Sequence, residues 1–172
     1  MKQTQTRKLT LGALLAALYF VLSLLQNFLL PGSASMAVQF RISEALCILA
    51  LFTPTAVWGL SLGCLLFNLT SASALPLDWF VGTAATALAE ILMYHLRNLR
   101  FHKVPILALL MPALMNGVLV GAELTIYIKA APLWLTMVCV AVGEVAVLFT
   151  LGLGLYFALL PQQDRLFGIP KE

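Results

Sequence analysis

The chain alternates long apolar runs with short stretches that carry proline, glycine or charge. The first run, residues 9–30, is 22 residues long and contains no charged side chain. An α-helix of that length crosses a hydrocarbon core of roughly 30 Å. Pro54 follows the second run, and Pro112 predicts a bend within the fifth because proline cannot donate a backbone hydrogen bond. The pattern predicts six membrane-spanning helices, at residues 9–30, 38–52, 56–70, 78–96, 104–128 and 132–160.

Composition supports the same fold class. Hydrophobic residues make up 62% of the 172 residues, charged residues make up 10%, and the mean hydropathy is +0.99. A soluble domain of this length is far less apolar. The sequence therefore predicts an all-α integral membrane protein, with residues 1–172 forming a single membrane domain built as a bundle of six transmembrane helices.

The distribution of basic residues predicts the orientation of this bundle. The net charge of +3 is small and implies neither a nucleic acid nor an acidic partner. Cytoplasmic segments of membrane proteins are enriched in lysine and arginine. With both termini in the cytoplasm, only Arg41 and Lys129 lie toward the outside. The remaining basic residues then face the cytoplasm: Lys2, Arg7, Lys8, Arg97, Arg100, Lys103, Arg165 and Lys171.

Polar and charged side chains inside the predicted spans are the candidates for function, since such groups are costly at membrane depth. Arg41 and Glu44 lie three residues apart at the start of the second span and share a helix face. They either form a structural pair or contact a ligand. Asn116 and Glu123 lie two turns apart on one face of the fifth span. The candidates converge in the outer half of the bundle, where we expect a pocket open to the outside, formed by Arg41, Glu44, Asn116, Glu123 and Glu144.

Each acidic residue also has a structural interpretation. Glu90 lies near the cytoplasmic end of the fourth span, on the face of Arg97, and this spacing predicts a structural ion pair. Glu123 could instead extend to the outer interface or meet Lys129. Glu144 is deep and has no basic neighbour in its own helix, so a functional role is favoured.

Small residues at four-residue spacing let helix backbones approach closely in lipid. The pairs Gly59 and Gly63, in the third span, and Gly117 and Gly121, in the fifth, predict packing inside the bundle. For the first span two interpretations stay open, packing inside the bundle or a docking surface for another membrane subunit. The residues concerned are Gly12, Ala13, Ala16 and Ala17.

The sequence contains no enzyme signature. It has no glycine-rich phosphate loop, no HExxH motif and no nucleophile elbow, so we expect no catalysis and no ATP hydrolysis by this chain alone. Cys47, Cys64 and Cys139 lie in apolar runs without metal-ligand spacing and are interpreted as small core residues. We expect neither a metal nor a cofactor.

Four stretches carry a resemblance to a known family. They are VQFRISEAL followed by the break at Pro54, then GLSLGCLLFNL, NGVLVGAEL and VGEVAV. Together they resemble the QueT family, the queuosine-precursor substrate-binding subunits of energy-coupling-factor (ECF) vitamin transporters, over nearly the whole chain. The resemblance implies a six-helix, multi-pass subunit of the bacterial plasma membrane that captures a 7-deazaguanine base outside the cell.

The resemblance also implies partners and residue roles. Such subunits dock on a shared transmembrane scaffold driven by two ATPases, and Ala13 and Ala17 occupy the family's AxxxA docking pattern. Two alternatives remain from other classes, a self-sufficient secondary transporter of a small cation and a membrane assembly protein, and a third is an ECF subunit for another vitamin. The binding residues implied are those inside the matching stretches: Arg41, Glu44, Asn68, Asn116, Glu123 and Glu144.

Overall fold

A computed structural model describes residues 5–33, 38–71, 74–102, 104–128 and 131–167. Within these ranges the chain is helical, and the only pairing of extended residues is an isolated bridge between Phe101 and Val104. The predicted all-α class is confirmed there. The α-helices are α1 (Gln5–Leu29), α2 (Thr55–Thr70), α3 (Asp78–Leu96), α4 (Ile106–Leu109), α5 (Met111–Ile128), α6 (Leu133–Val147), α7 (Leu153–Leu159) and α8 (Gln163–Phe167).

A 3₁₀ helix, Ile42–Leu51, occupies the middle of the bundle. The second run was expected to form an ordinary spanning α-helix. That expectation is wrong, because the segment is a 3₁₀ helix. At about 2.0 Å per residue the ten-residue 3₁₀ helix is roughly 20 Å long. Every residue from Ser43 onward is buried, because α1, α2, α3, α6, α7 and a π-helical turn (Leu148–Gly152) contact it from different sides. Apart from Ser43 and Glu44 the segment is apolar on every side, which suits this enclosed position.

Glycines allow α1 and α2 to pack with their backbones in contact. A Cβ added to Gly59 would lie 2.7 Å from the carbonyl oxygen of Gly12, and one added to Gly63 would lie 2.6 Å from that of Ala16. Real Cβ atoms do not approach so closely, so each position requires glycine. The internal packing predicted for Gly59 and Gly63 is confirmed.

The same device joins α5 to α6. A Cβ on Gly121 would lie 2.7 Å from the Cα of Met137, and one on Gly117 would lie 3.1 Å from the Cβ of Ala141. The predicted packing role of this second glycine pair is therefore also confirmed.

The last two predicted spans are interrupted in different ways. The fifth breaks at Leu110, between α4 and α5, two residues before Pro112, where a bend was predicted. The sixth continues from α6 through a π-helical turn, Leu148–Gly152, into α7.

Three helical segments are long and apolar enough to cross a membrane, namely Gln5–Leu29, Ile106–Tyr127 and Leu133–Phe167. They support an integral membrane protein. The helices Ile42–Leu51 and Thr55–Thr70 are apolar but shorter. Six crossings with both termini in the cytoplasm stay a prediction.

The bundle has two chemically different ends. The end of α5 and the start of α3 place Glu123 and Asp78 together, and we call this the acidic end. The start of α1 and the segment after α3 bring Lys8, Arg97 and Arg100 around one cavity, which we call the basic end. Arg41 and Glu44 begin the central 3₁₀ helix on the acidic side, and the 3₁₀ helix ends toward the basic side.

Candidate ligand-binding site

Glu44 is fully buried and has hydrogen-bond donors on three elements. The Tyr19 hydroxyl of α1 donates to its Oε1 at 2.5 Å, and the Thr86 hydroxyl of α3 donates to the same oxygen at 3.4 Å. Cys47 lies three residues on, one turn of the 3₁₀ helix, and its thiol donates to Oε2 at 3.0 Å. Glu44 therefore connects the central helix to α1 and α3.

Arg41 lies immediately before the 3₁₀ helix, near α3. Its Nη1 is 3.9 Å from the point that a Cβ on Gly82 would occupy. Its positive charge acts on both Glu44 and Glu144, although the hydrogen bonds of Glu44 go to other residues. The structural Arg41–Glu44 pair that was one of the two expectations is thus not a direct hydrogen-bonded pair.

A small polar void adjoins the Arg41 side chain. Its volume is about 10 Å³, which is room for roughly one water molecule. The void is lined by Tyr19, Ser23, Gln26, Arg41, Ser43, Phe67 and Asn68.

Asn68 connects α2 to the start of α3. Its Nδ2 donates to the backbone carbonyl of Asp78 at 2.9 Å. Gly82 leaves the space for this amide, since a Cβ there would lie 2.9 Å from Nδ2. The amide nitrogen of Asn68 is therefore engaged within the protein.

Asn116, Glu123 and Glu144 are buried in a different way. Among the described residues, both side-chain polar atoms of each have no hydrogen-bond partner. Buried polar atoms are nearly always paired, and leaving one unpaired costs about 1 to 3 kcal/mol. The helices that carry them, α5 and α6, pack against each other. The side-chain atoms of Asn116 and Glu144 are therefore candidates to meet the polar groups of a ligand, and so are those of Glu123, whose carboxyl also lies against that of Asp78.

Two residues that the sequence did not single out share this property. Gln39 Oε1 and Thr83 Oγ1 are buried without a hydrogen-bond partner in the described ranges. The backbone of Gln39 lies against α6, where a Cβ on Gly143 would come within 2.1 Å of its carbonyl oxygen. Gln39 is a polar residue two positions before Arg41, which was a usable signal. A threonine inside an apolar helix such as Thr83 is too common to be one.

The electrostatics of the cluster are dominated by acids. Glu123 adjoins Asp78, and both Glu90 and Glu144 lie close enough to Glu44 for their charges to interact. The charge of Arg41 opposes those of Glu44, Glu123 and Glu144. The cluster thus contains several carboxyl groups and one cation, Arg41, among the described residues.

The predicted Glu90–Arg97 pair is wrong. Glu90 is fully buried and accepts a hydrogen bond from the Ser61 hydroxyl of α2 at 3.4 Å. Arg97 instead lies over the ring of Tyr94, 3.8 Å from its centroid, and donates to the Tyr94 carbonyl. Arg97 follows the last turn of α3 and can turn toward the end of the bundle, whereas Glu90 faces α2.

The small residues of α1 divide between two faces. Gly12 and Ala16 are buried against α2, with the ring of Trp58 beside Gly12, so they are not available to a partner as the docking interpretation required. Ala13 and Ala17 are exposed. The docking hypothesis is therefore restricted to Ala13 and Ala17.

Comparison with known proteins identifies the family of the chain. Neither a curated protein nor a solved structure shows significant similarity to the chain. The sequence model of the QueT transporter family matches residues 9–161, which is most of the chain and includes every polar residue of the cluster. The chain therefore belongs to the QueT transporter family, a family of membrane transport proteins.

Proposed function

We propose that this protein is the substrate-capture subunit of an ECF-type importer and binds a queuosine precursor, a 7-deazaguanine-type base, from outside the cell. The observation that supports this proposal most is the set of unpaired, buried polar atoms on Asn116, Glu123 and Glu144. A small polar ligand would satisfy them.

The chemistry of the base suits these groups. A guanine-like Watson–Crick edge offers adjacent N–H donors, and one carboxylate can accept both in a forked pair. The amide of Asn116 can donate to a carbonyl or ring nitrogen of the base while it also accepts a hydrogen bond. An aminomethyl substituent would make the ligand a cation, which a cluster with more carboxyl groups than cations favours.

The remaining residues have supporting roles in this proposal. Glu44 and Asn68 hold the 3₁₀ helix, α2 and α3 in place through their internal hydrogen bonds. Arg41 orients the ligand and offsets part of the acidic charge. A base is much larger than the void of about 10 Å³ beside Arg41. We therefore expect α5 and α6 to shift relative to the 3₁₀ helix when the ligand enters.

The partners in this proposal are a transmembrane scaffold and two ATPase subunits. The exposed stripe of Ala13 and Ala17 would contact the scaffold, because small side chains let a partner helix come close. The protein would cross the bacterial plasma membrane six times with both termini in the cytoplasm.

A binding screen and an uptake assay together test this function. The purified chain is heated in the presence of 7-deazaguanines, purines or vitamins, since a ligand that binds the folded state raises its melting temperature. We expect a deazaguanine to give the largest rise. If only a different vitamin stabilises the protein, the proposed role as a capture subunit stands, but its substrate is that vitamin and not a deazaguanine.

The uptake assay uses the chain alone in liposomes. We expect tight binding without net uptake, because the chain has no ATPase motif. Uptake by the chain alone would contradict the capture role and support a secondary transporter. Absence of both binding and uptake would support an assembly role.

A further inference from the structure

The basic end contains a cavity of about 400 Å³ that the proposed substrate site does not use. It adjoins Leu51 and Phe52, where the 3₁₀ helix ends, whereas Arg41 and Glu44 lie at its start. We call it the basic cavity. Lys8, Arg97 and Arg100 line it, and the described lining includes no aspartate or glutamate. Its charge therefore favours an anion.

Part of this cavity is held in a fixed geometry. The guanidinium of Arg97 lies over the Tyr94 ring and donates to the Tyr94 carbonyl, so its position is set before any ligand arrives. The Phe52 ring stacks on Tyr156 at 5.6 Å and on Phe167 at 5.3 Å between ring centroids. The cavity thus combines cations at its edge with an aromatic floor.

An apolar groove of about 530 Å³ continues from the basic cavity. Asn98 and Arg100 line both spaces. The groove is otherwise lined by Leu99, Phe101, Ile106, Leu107 and Leu110, and three of these side chains are exposed. A ligand that fills both spaces needs an anionic group and a hydrocarbon chain on the same molecule. A free phosphate would leave the groove empty.

We propose that the basic end binds an anionic phospholipid, with the phosphate in the basic cavity and an acyl chain in the adjoining groove. Arginine pairs well with phosphate oxygens, and basic pockets between membrane helices are suited to anionic headgroups. Lys8 immediately precedes the first long apolar run, which places these cations at the level of the lipid headgroups. This inference is independent of the substrate that the acidic end binds.

Thermal unfolding of the full chain in a neutral detergent tests the proposal. Phosphatidylglycerol should raise the melting temperature in a saturable way, and phosphatidylcholine with the same acyl chains should not. In the double variant Lys8→Gln, Arg100→Gln, the phosphatidylglycerol concentration for half-maximal stabilisation should rise at least tenfold. Equal stabilisation by both lipids, or an unchanged response of the double variant, would overturn the proposal.

Arg165→Gln is the matched control. Arg165 lies at the same end, since its carbonyl accepts a hydrogen bond from Arg7, but it does not line the cavity. This variant should respond to phosphatidylglycerol as the natural chain does. An equal loss of response would mean that general charge attraction explains the binding, and would overturn the site.

Two further measurements separate a lipid from a free phosphate. Inorganic phosphate and glycerol 3-phosphate should give no stabilisation at concentrations at which phosphatidylglycerol saturates. Leu107→Gln, in the groove, should weaken the response to phosphatidylglycerol several-fold. A full response to glycerol 3-phosphate, or an unaffected Leu107→Gln variant, would remove the acyl chain from the site.

Discussion

Glu44 and Glu144 are both fully buried glutamates, yet their surroundings differ. The carboxylate of Glu44 accepts hydrogen bonds from Tyr19, Cys47 and Thr86. The carboxylate of Glu144 has no such partner among the described residues. Burial alone therefore does not indicate function. A buried acid whose hydrogen bonds are complete holds the bundle together, and one whose hydrogen bonds are missing is a candidate for contact with a ligand.

The small residues of α1 show the same contrast. Gly12 and Ala16 are occupied by α2, while Ala13 and Ala17, on the neighbouring stripe, touch nothing that buries them. In both cases a residue that already has a partner inside the protein is structural. A residue without such a partner is a candidate for contact with a ligand or another subunit.

Glu44→Ala should cause the largest loss of stability. Removal of the carboxylate leaves the Tyr19 hydroxyl and the Cys47 thiol without their acceptor and opens a cavity, so we expect the free energy of unfolding to fall by about 3 to 5 kcal/mol. Unfolding of the detergent-solubilised protein measures it. Glu144→Ala is the control of equal volume and should cost about 2 kcal/mol less, since it breaks no hydrogen bond of the described structure. Equal losses of unfolding free energy in the two variants would contradict the assignment of Glu44 as structural and Glu144 as a candidate for ligand contact.

Glu144→Gln should impair binding instead of folding. The amide keeps the shape of the carboxylate but removes its charge and replaces one acceptor with a donor. We expect the affinity for a 7-deazaguanine to fall by about 1.5 to 3 kcal/mol, or roughly 10- to 150-fold in Kd. Calorimetric titration of the folded variant measures this change. An unchanged Kd would remove Glu144 from the site.

Gly143→Ala tests whether the segment around Gln39 is seated on α6. The new methyl group would meet the Gln39 carbonyl and force the segment away, with an expected loss of about 1 to 3 kcal/mol in unfolding free energy. Gly154→Ala is the control, because a Cβ there meets no atom within 4 Å. That variant should be as stable as the natural chain or slightly more stable. Thermal unfolding compares the two, and identical behaviour would contradict the close packing.

Ala13→Trp should have the smallest effect on the isolated chain. The side chain points away from α2, so we expect stability and ligand affinity to change little, while co-purification with the scaffold and ATP-dependent uptake are lost. Ala16→Trp is the matched control and should destabilise the fold, because Ala16 packs on Gly63. If Ala13→Trp still assembles and transports, the exposed stripe is not the docking surface.

Much of the fold could be predicted from the sequence because apolar run length and glycine spacing are local signals. The helix Asp78–Leu96 has the predicted bounds, and the break near Pro112 lies where proline required it. The 3₁₀ form of Ile42–Leu51 could not be predicted, since a short apolar run fits either helix type and its surroundings come from six other elements.

The residues of the candidate site could be predicted from the sequence. Which of them are structural and which are candidates for ligand contact could not. Polar residues in apolar runs stand out in any sequence. Whether such a residue is already bonded depends on groups distant along the chain, such as Tyr19 for Glu44 or Ser61 for Glu90. The Glu90–Arg97 pair failed for this reason, because spacing along one helix says nothing about the helix opposite.

The π-helical turn at Leu148–Gly152 determines in which direction the side chains of α7 point relative to those of α6. Glu144 and Tyr156 are twelve residues apart. In an uninterrupted α-helix, with about 100° per residue, they would point about 120° away from each other. The π turn absorbs one extra residue, so the effective separation is eleven steps and the two directions differ by only about 20°. The same continuous helix can thereby direct Glu144 into the bundle toward the acidic end and Tyr156 into the bundle toward the basic end.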